Sequence, residues 1–448
     1  MDDPGEDTVE AELAKELYQM SVISRNEMTE EIHGLRTLAP KETLEMIDVK
    51  LEELDRALQS LPSKPSYNEA ISRCSEWVRS RDFRLMFLRA ETFDVKNAAT
   101  RIEQYLTFSR SHFGPEALQR PIYMSDLDKQ EQEIVKAGNF QLLDYRDRAG
   151  RRIAVRMGIL GRDHNVVQRM RVFFYFMCVL AEDIETQRKG AVIIMIPQDE
   201  TLEPVALAEK MRSIHSVIDS VPVRISAYHV CVSEPQFFIR MALSIVPKPI
   251  RLRFRVHQGS PLEWQYSLSS FGINAELLPF TSSGKLKIKA HQKWIKLRKA
   301  KEDAIKNSIP FDGIECPNVQ DVFFRRGGNL TSRHGNLMLR ELLESKYALY
   351  RSRETQDEKT QISWWVVGEI ERRKGRFLVE GPKGFWVELT NKEIAREKVA
   401  NSFRDLRKIA IPPQQTIPTD SSTMKFVCLD GRKRMRTAPQ NEFEKCMG

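Results

Sequence analysis

Apolar runs that alternate with helical patterns between residues 140 and 259 restrict the fold of this chain more than any other feature. The run AVIIMIP, beginning at Ala191, is apolar throughout, which is typical of a strand buried on both faces. Two further β-rich runs follow at 223–233 and 252–259, each preceded by a helical pattern. Strands and helices in this order predict a parallel or mixed sheet covered by helices. We therefore expect an α/β fold.

The same region opens with a hairpin and a helix. Gly150 lies between two short β-like runs in residues 142–158, which predicts a hairpin. Residues 166–189 are expected to form one long helix that ends at Gly190, carrying apolar residues that include Phe173 and Phe176.

The residues before 140 are expected to be mainly helical. An apolar face recurs from Leu44 to Leu58, and the segment SLPSKPS after it has the composition of a linker. A second helical block is predicted over residues 67–113.

Charge is divided unevenly along the chain. Residues 1–280 hold 36 Lys and Arg against 41 Asp and Glu, whereas residues 281–448 hold 34 against 21, a net charge of +13. This asymmetry favours an anionic partner for the second part, either a membrane surface or nucleic acid. A solvated basic face without a partner is the alternative.

Residues 236–246 are unusually apolar for so short a helix. Their polar residues Gln236, Arg240 and Ser244 recur every four positions and share one narrow stripe. A bilayer-spanning helix needs roughly 20 residues, so the segment is too short to cross a membrane. It is predicted either to be buried in a large core or to close a cavity.

Signatures of catalysis and of metal binding are absent from the sequence. It contains no GxSxG, Walker A, HExxH or GxGxxG motif, and we expect no catalytic residue, metal or cofactor. His229 fits a core histidine better than a catalyst. The six cysteines have no paired spacing and the N-terminus lacks the features of a signal peptide, which favours an intracellular protein.

Basic and aromatic residues characterise the block from 319 to 408. Arg325 and Arg326 precede two glycines and are candidates for an anion-binding turn, with an ordinary glycine turn as the alternative. Arg333 and Trp386 are candidate contacts for nucleic acid, although Trp386 and its aromatic neighbours also suit the core of a small domain.

Several motifs in residues 80–280 resemble the CRAL-TRIO lipid-binding family, in its branch that carries lipophiles such as tocopherol and retinaldehyde. The matching stretches are FLRAETFDVKNAA, FQLLDYRDRAGRRIAV, EDIETQRKG, YHVCVSEP, LRFRVHQG and FGINAELLP. The block at 319–408 resembles a small domain of unknown function common in diatom proteins, through DVFFRRGG, SRHGN, GRFL, FWVEL and AREKVANSFRDLRK.

The resemblance implies a helical N-terminal lobe beside a mixed-sheet lobe that encloses one lipid under a gate helix, followed by a small α+β domain. The gate helix falls on residues 236–246. Arg224 and Arg253 fall on positions that contact phosphoinositide headgroups, and Arg240 is placed to touch headgroups as well. The residues implied at the lipid cavity and gate are Phe237, Phe238, Met241, Ala242, Ile245, Val246, Phe173, Phe176 and Ile194.

This chain departs from the family pattern in several places. Glu91 and Val223 replace the residues that contact phosphatidylinositol in another branch, which argues against that lipid as cargo. Pro197 stands where an Asp usually follows the central strand, and TSSGK replaces a pair of glycines after Pro279.

The chain is accordingly divided into six segments. They are a helical leader and linker (1–66), a helical lobe (67–120), a lipid-binding lobe (121–283), a basic helical linker (284–310), a small C-terminal domain (311–411) and a disordered basic tail (412–448).

We expect an intracellular carrier of a small hydrophobic lipid that acts at anionic membranes without a transmembrane segment, in the cytoplasm and peripheral to membranes. The alternative is a nucleic-acid-associated regulator that acts through the basic C-terminal domain, for which GRKRMR (431–436) suggests nuclear import. A degenerate carrier with a filled cavity is a third hypothesis.

Overall fold

A computed structural model describes residues 15–158, 164–197, 216–233, 248–325 and 333–410. Its fold is mixed α/β, as expected. The helices are α1 (Val22–Ile32), α2 (Leu44–Ser60), α3 (Pro65–Arg79), α4 (Arg81–Ala90), α5 (Val95–Phe113), α6 (Lys129–Ala137), α7 (Val166–Ala181), α8 (Ile184–Lys189), α9 (Lys248–Arg251), α10 (Pro261–Ser270), α11 (Lys289–Lys306), α12 (His334–Ser352), α13 (Gln356–Arg372) and α14 (Lys392–Ala410). The strands are β1 (Phe140–Arg146), β2 (Arg152–Met157), β3 (Ala191–Ile196), β4 (Ile225–Val232), β5 (Phe254–Gln258), β6 (Val322–Phe324), β7 (Phe377–Glu380) and β8 (Trp386–Glu388).

Five strands form the first sheet in the order β1-β2-β3-β4-β5. β1 and β2 are antiparallel, which confirms the hairpin, and Gly150 takes a left-handed φ of 85° in its turn. The other neighbours are parallel. All eight residues of β4 are buried, which explains why its sequence does not alternate between apolar and polar residues.

Two apolar clusters cover the two faces of this sheet. The first face packs against α2 to α7, and its sheet residues include Phe140, Leu142, Ala154, Ile193 and Tyr228. The second face packs against α1 and α10, and its sheet residues include Leu143, Ile153, Val192, Ile194 and Ala227.

The helical regions predicted for 44–58 and 67–113 are present. Thr43 caps α2, and Ile47, Leu54 and Leu58 bury its predicted apolar face. The block at 67–113 consists of three helices, because Ser80 and Asp94 each accept a backbone N–H and start a new helix.

The single long helix predicted for 166–189 is wrong. Helix α7 ends at Ala181. The Asp183 side chain then caps α8 by accepting the N–H of Thr186 at 3.0 Å. The same carboxylate pairs with both terminal nitrogens of Arg146, at 2.8 and 2.9 Å. Ile184, expected on the apolar face, is therefore 53% exposed.

α11 is packed against the sheet lobe, although its sequence suggested a linker. Its Arg298 side chain is fully buried and donates to Glu302 and to Glu182, both at 2.6 Å. Glu302 also accepts the Tyr175 hydroxyl at 2.8 Å. Because buried charges are tolerated only when they are paired, this network fixes α11 to α7.

The C-terminal strands form a second sheet in the order β6-β7-β8. β6 and β7 are parallel, and β7 and β8 form an antiparallel hairpin. The same block of the chain contains helices α12, α13 and α14.

Candidate functional site

A small apolar patch lies on the first face, near the carboxyl ends of β3 and β4. Val230 and Val232 are 6% and 2% exposed and form a cluster apart from the main core. Met195 and Phe254, both half-buried, pack against them. We call these four residues, together with Tyr228, the sheet floor.

The hydroxyl of Tyr228 is the one polar side-chain group of the sheet floor. Its ring stacks on Phe254, with centroids 4.7 Å apart and an interplanar angle of 8°. The residue is 3% exposed, and its hydroxyl has no hydrogen-bond partner among the residues that the structure describes. Burial raises the pKa of Tyr228, so the hydroxyl is neutral and able to donate. An orphan buried hydroxyl costs free energy unless something else satisfies it.

The three predicted cavity residues within the described ranges do not lie together. Phe176 is fully buried between Phe140 and Trp294, with ring centroids 4.8 and 5.5 Å away. Phe173 is half-buried and meets Phe140 edge-on. Ile194 belongs to the second face, so it does not share a surface with the two phenylalanines. The predicted gate residues Phe237, Phe238, Met241, Ala242, Ile245 and Val246 lie outside the described residues.

Arg224 and Arg253, the candidate headgroup contacts, both bind an internal carboxylate. Glu31 of α1 accepts from Arg224 Nη1 at 2.7 Å and from Arg253 Nη1 at 2.6 Å. The two arginine side chains are only 11% and 18% exposed. In this arrangement both guanidinium groups bind Glu31 and neither is turned toward a site for a lipid headgroup. Arg240, the third candidate, lies outside the described residues.

The surroundings of Glu31 explain why a charge is tolerated there. The side chain is fully buried, and the backbone N–H of Leu38 donates to it at 2.9 Å. Burial alone raises the pKa of Glu31, but Arg224 and Arg253 outweigh it and hold that pKa below its ordinary value. Arg151, itself paired with Asp147, donates to the carbonyl oxygens of Glu31 and Ile32. The end of α1 is therefore held by charge as well as by apolar contact.

Two buried histidines lie on the second face. His229 Nδ1 is 2.9 Å from His257 Nε2, and His257 Nδ1 is 2.6 Å from the Ser267 hydroxyl. Burial lowers both pKa values, that of His257 to about 4, so the pair is neutral near neutral pH. His229 lies in the core on the face opposite the sheet floor.

The candidate anion contacts of the C-terminal domain take part in internal packing. Arg333 donates to Asp144 of β1, at 3.2 Å to its carbonyl and 3.4 Å to its carboxylate, and covers the Phe323 ring. Trp386 packs edge-on against the same ring, with centroids 4.9 Å apart. Arg325 is exposed and pairs with Glu380 at 3.2 Å. Arg326 lies outside the described residues.

Other motif residues of this domain hold β6 in place. The buried Asp321 carboxylate binds the Arg376 guanidinium at 2.7 Å and accepts the Asn318 N–H at 2.8 Å. The Asn336 side chain accepts the N–H of Phe323 and donates to its carbonyl oxygen, as a neighbouring strand would. These motif residues have a structural role.

Residues 321–405 match the family model described as "Domain of unknown function (DUF6824)". This agrees with the resemblance noted for the C-terminal block. The lipid-binding family has no corresponding match, so its assignment stays a prediction that depends on motifs.

Two properties of the described part of the chain bear on membranes and metals. Within it, no helix combines the length and the apolar character that crossing a membrane requires. Nor does this part contain three or more His, Cys, Asp or Glu side chains grouped to bind a metal ion.

Sequence reasoning missed Glu31 and the Tyr228 hydroxyl. The partners of Glu31 are 193 and 222 residues away, so no local pattern could reveal them. Tyr228 stands in an apolar run and looks like an ordinary strand residue.

Proposed function

We propose that this chain binds a small hydrophobic lipid on the sheet floor and transfers it between membranes. The cytoplasm, at membrane surfaces, is the proposed location. The observation that carries the proposal is the Tyr228 hydroxyl, which is buried beside the apolar residues of the sheet floor without a partner in the described residues. Ligand sites of this kind are mostly apolar with a few polar groups that orient the ligand.

The topology supports this location for the ligand. The described parts of the connections that follow β3 and β4 include Val217, Val221 and Ile250, which pack on the first face, the face of the sheet floor. The gate helix predicted for 236–246 belongs to the second of these connections. Each buried methylene of a lipid contributes about 0.8 kcal/mol, so a cargo of modest length is held without covalent chemistry.

A pair of tyrosine variants tests the assignment. Tyr228→Phe removes the orphan hydroxyl, so we expect the ligand-free protein to keep or gain stability while affinity for a fluorescent tocopherol analogue falls. One hydrogen bond contributes about 1 kcal/mol, so the loss of affinity is roughly fivefold. The binding titration is accompanied by thermal unfolding of the same samples.

Tyr145→Phe is the matched control. Tyr145 is equally buried but lies on the second face, and its hydroxyl donates to the Asn274 carbonyl oxygen at 3.3 Å. This variant should lose stability and keep its affinity. The proposal is contradicted if Tyr228→Phe destabilises the ligand-free protein and leaves affinity unchanged, because the hydroxyl then has an internal partner.

Nucleic-acid binding by the C-terminal domain is the alternative function, and it has less support. Arg333 and Trp386 are engaged in packing, so they are poorly placed to stack on bases or to contact phosphates. Binding of duplex DNA by the full chain with a steep salt dependence would favour this alternative.

A further inference from the structure

α11 has a fully buried face and an opposite face lined with lysines. The lysines recur at helical spacing and all are exposed. We call them the lysine row: Lys289, Lys293, Lys296 and Lys299. The first exposed acidic residue on the helix is Asp303, beyond the row.

The members of the lysine row have no carboxylate partner among the residues that the structure describes. Several other lysines are paired, such as Lys136 with Glu133 at 2.7 Å and Lys301 with Glu182 at 2.9 Å. The row begins at the amino end of α11, where the helix dipole disfavours positive charge. No acidic residue lies in the first turn, and Ile288 provides no side-chain cap. The row therefore costs stability in the isolated protein.

The buried face of α11 holds the row rigidly on the lobe. His291 Nε2 lies 2.7 Å from the Val135 carbonyl oxygen, and the other ring nitrogen is buried. Since a carbonyl oxygen only accepts, the His291 Nε2 must carry the proton. Together with the Arg298 network, this contact presents the lysines as a fixed surface.

From this placement we propose that the lysine row is the surface by which the protein docks on an anionic membrane. The inference depends on the proposed carrier function, which requires repeated visits to a bilayer. Lysine is a compact point charge without the fork that binds a phosphate in two places, so a row of lysines suits the diffuse negative potential of a leaflet. Ile288, 40% exposed at the head of the row, adds an apolar contact.

Nucleic acid fits this surface less well. Single-strand recognition relies on aromatic side chains on which bases stack. The only aromatic residues of α11, His291 and Trp294, are buried on the opposite face.

The test compares two triple variants of the full chain in a vesicle-sedimentation assay. In the first, Lys289, Lys293 and Lys296 are replaced by Gln. In the second, the control, three exposed lysines outside α11 that have no carboxylate partner among the described residues are replaced by Gln: Lys96, Lys374 and Lys383. Both variants change the net charge equally. The vesicles are phosphatidylcholine with phosphatidylserine, and phosphatidylcholine alone.

We expect the first variant to lose roughly a hundredfold in affinity for the anionic vesicles, because each of the three lysines near the surface contributes about fivefold. The control should lose much less. Equal losses in the two variants, or no loss in the first, would overturn the inference. So would preferential binding of the wild-type chain to duplex DNA in the same buffer.

Lipid extracted from both variants separates this inference from the proposed function. If the first variant keeps its lipid and loses vesicle binding, both stand. If the first variant loses vesicle binding and neither the variants nor the wild type carry lipid, the docking surface stands and the carrier function fails.

Discussion

Glu31 and Arg224 are 193 residues apart in sequence and form a buried ion pair at 2.7 Å. Arg253 binds the other oxygen of the same carboxylate at 2.6 Å. The pair joins the N-terminal helix α1 to the amino ends of β4 and β5. The helix is therefore part of the sheet lobe, whereas the sequence suggested a separate leader.

Removal of this carboxylate should destabilise the whole lobe. Glu31→Gln leaves two guanidinium groups buried with no charged partner on α1, so we expect the free energy of unfolding to fall by about 3 to 5 kcal/mol, as measured in urea. Glu27→Gln is the control, since Glu27 forms an exposed pair with Arg36 and should change stability by ~1 kcal/mol or less. Similar values for the two variants would show that Glu31 is not the anchor of α1.

The histidine pair predicts how stability depends on pH. Burial depresses the pKa of His257 from 6.5 to about 4 and also lowers that of His229. The folded state thus holds both as neutral bases, while the unfolded chain takes up protons near pH 6.5. The stabilisation is complete above pH 6.5 and is lost as the pH falls toward 4, by roughly 3 kcal/mol for His257.

Unfolding measured at several pH values, for the wild type and for His257→Gln, checks this dependence. The variant should show a shallower fall of stability between pH 6.5 and 4. An identical slope in the two proteins would mean that carboxylates, rather than this histidine, set the acid sensitivity.

Two helical glycines of the C-terminal domain give a matched pair. A Cβ on Gly335 would lie 2.1 Å from the Asp321 carbonyl oxygen, whereas a Cβ on Gly368 meets nothing within 4 Å. Gly335→Ala should separate β6 from α12 and lower the midpoint of thermal unfolding. Gly368→Ala should raise stability by up to about 1 kcal/mol through helix propensity. If both variants are stabilised, the close approach of α12 to β6 is wrong.

The sequence predicted the strands of the sheet lobe well, because buried parallel strands leave continuous apolar runs. The same property explains the failure at Ile194. In AVIIMI every residue is apolar, so polarity does not indicate which residues share a face, and Ile193 rather than Ile194 lies on the side of Phe176. Polar residues at alternate positions of the strand would have indicated which residues face each side of the sheet.

Long-range charge pairs account for most of what sequence patterns could not reveal. The break before α8 depends on Asp183, whose partner Arg146 lies at the end of β1. The basic helix α11 looked like a linker because its acidic partners Glu182 and Glu315 lie outside the helix, the first of them 116 residues from Arg298. Helical spacing predicted that both segments are helical, but tertiary contacts determined where α8 begins and where α11 packs.

Mass spectrometry of lipid extracted from the purified full-length chain tests the central claim most directly. The carrier account predicts one lipid species or class at near one molecule per chain, and its displacement when an excess of a tighter-binding lipophile is added. Protein that is folded but carries no lipid, and that takes up none from vesicles of diverse composition, would contradict the account.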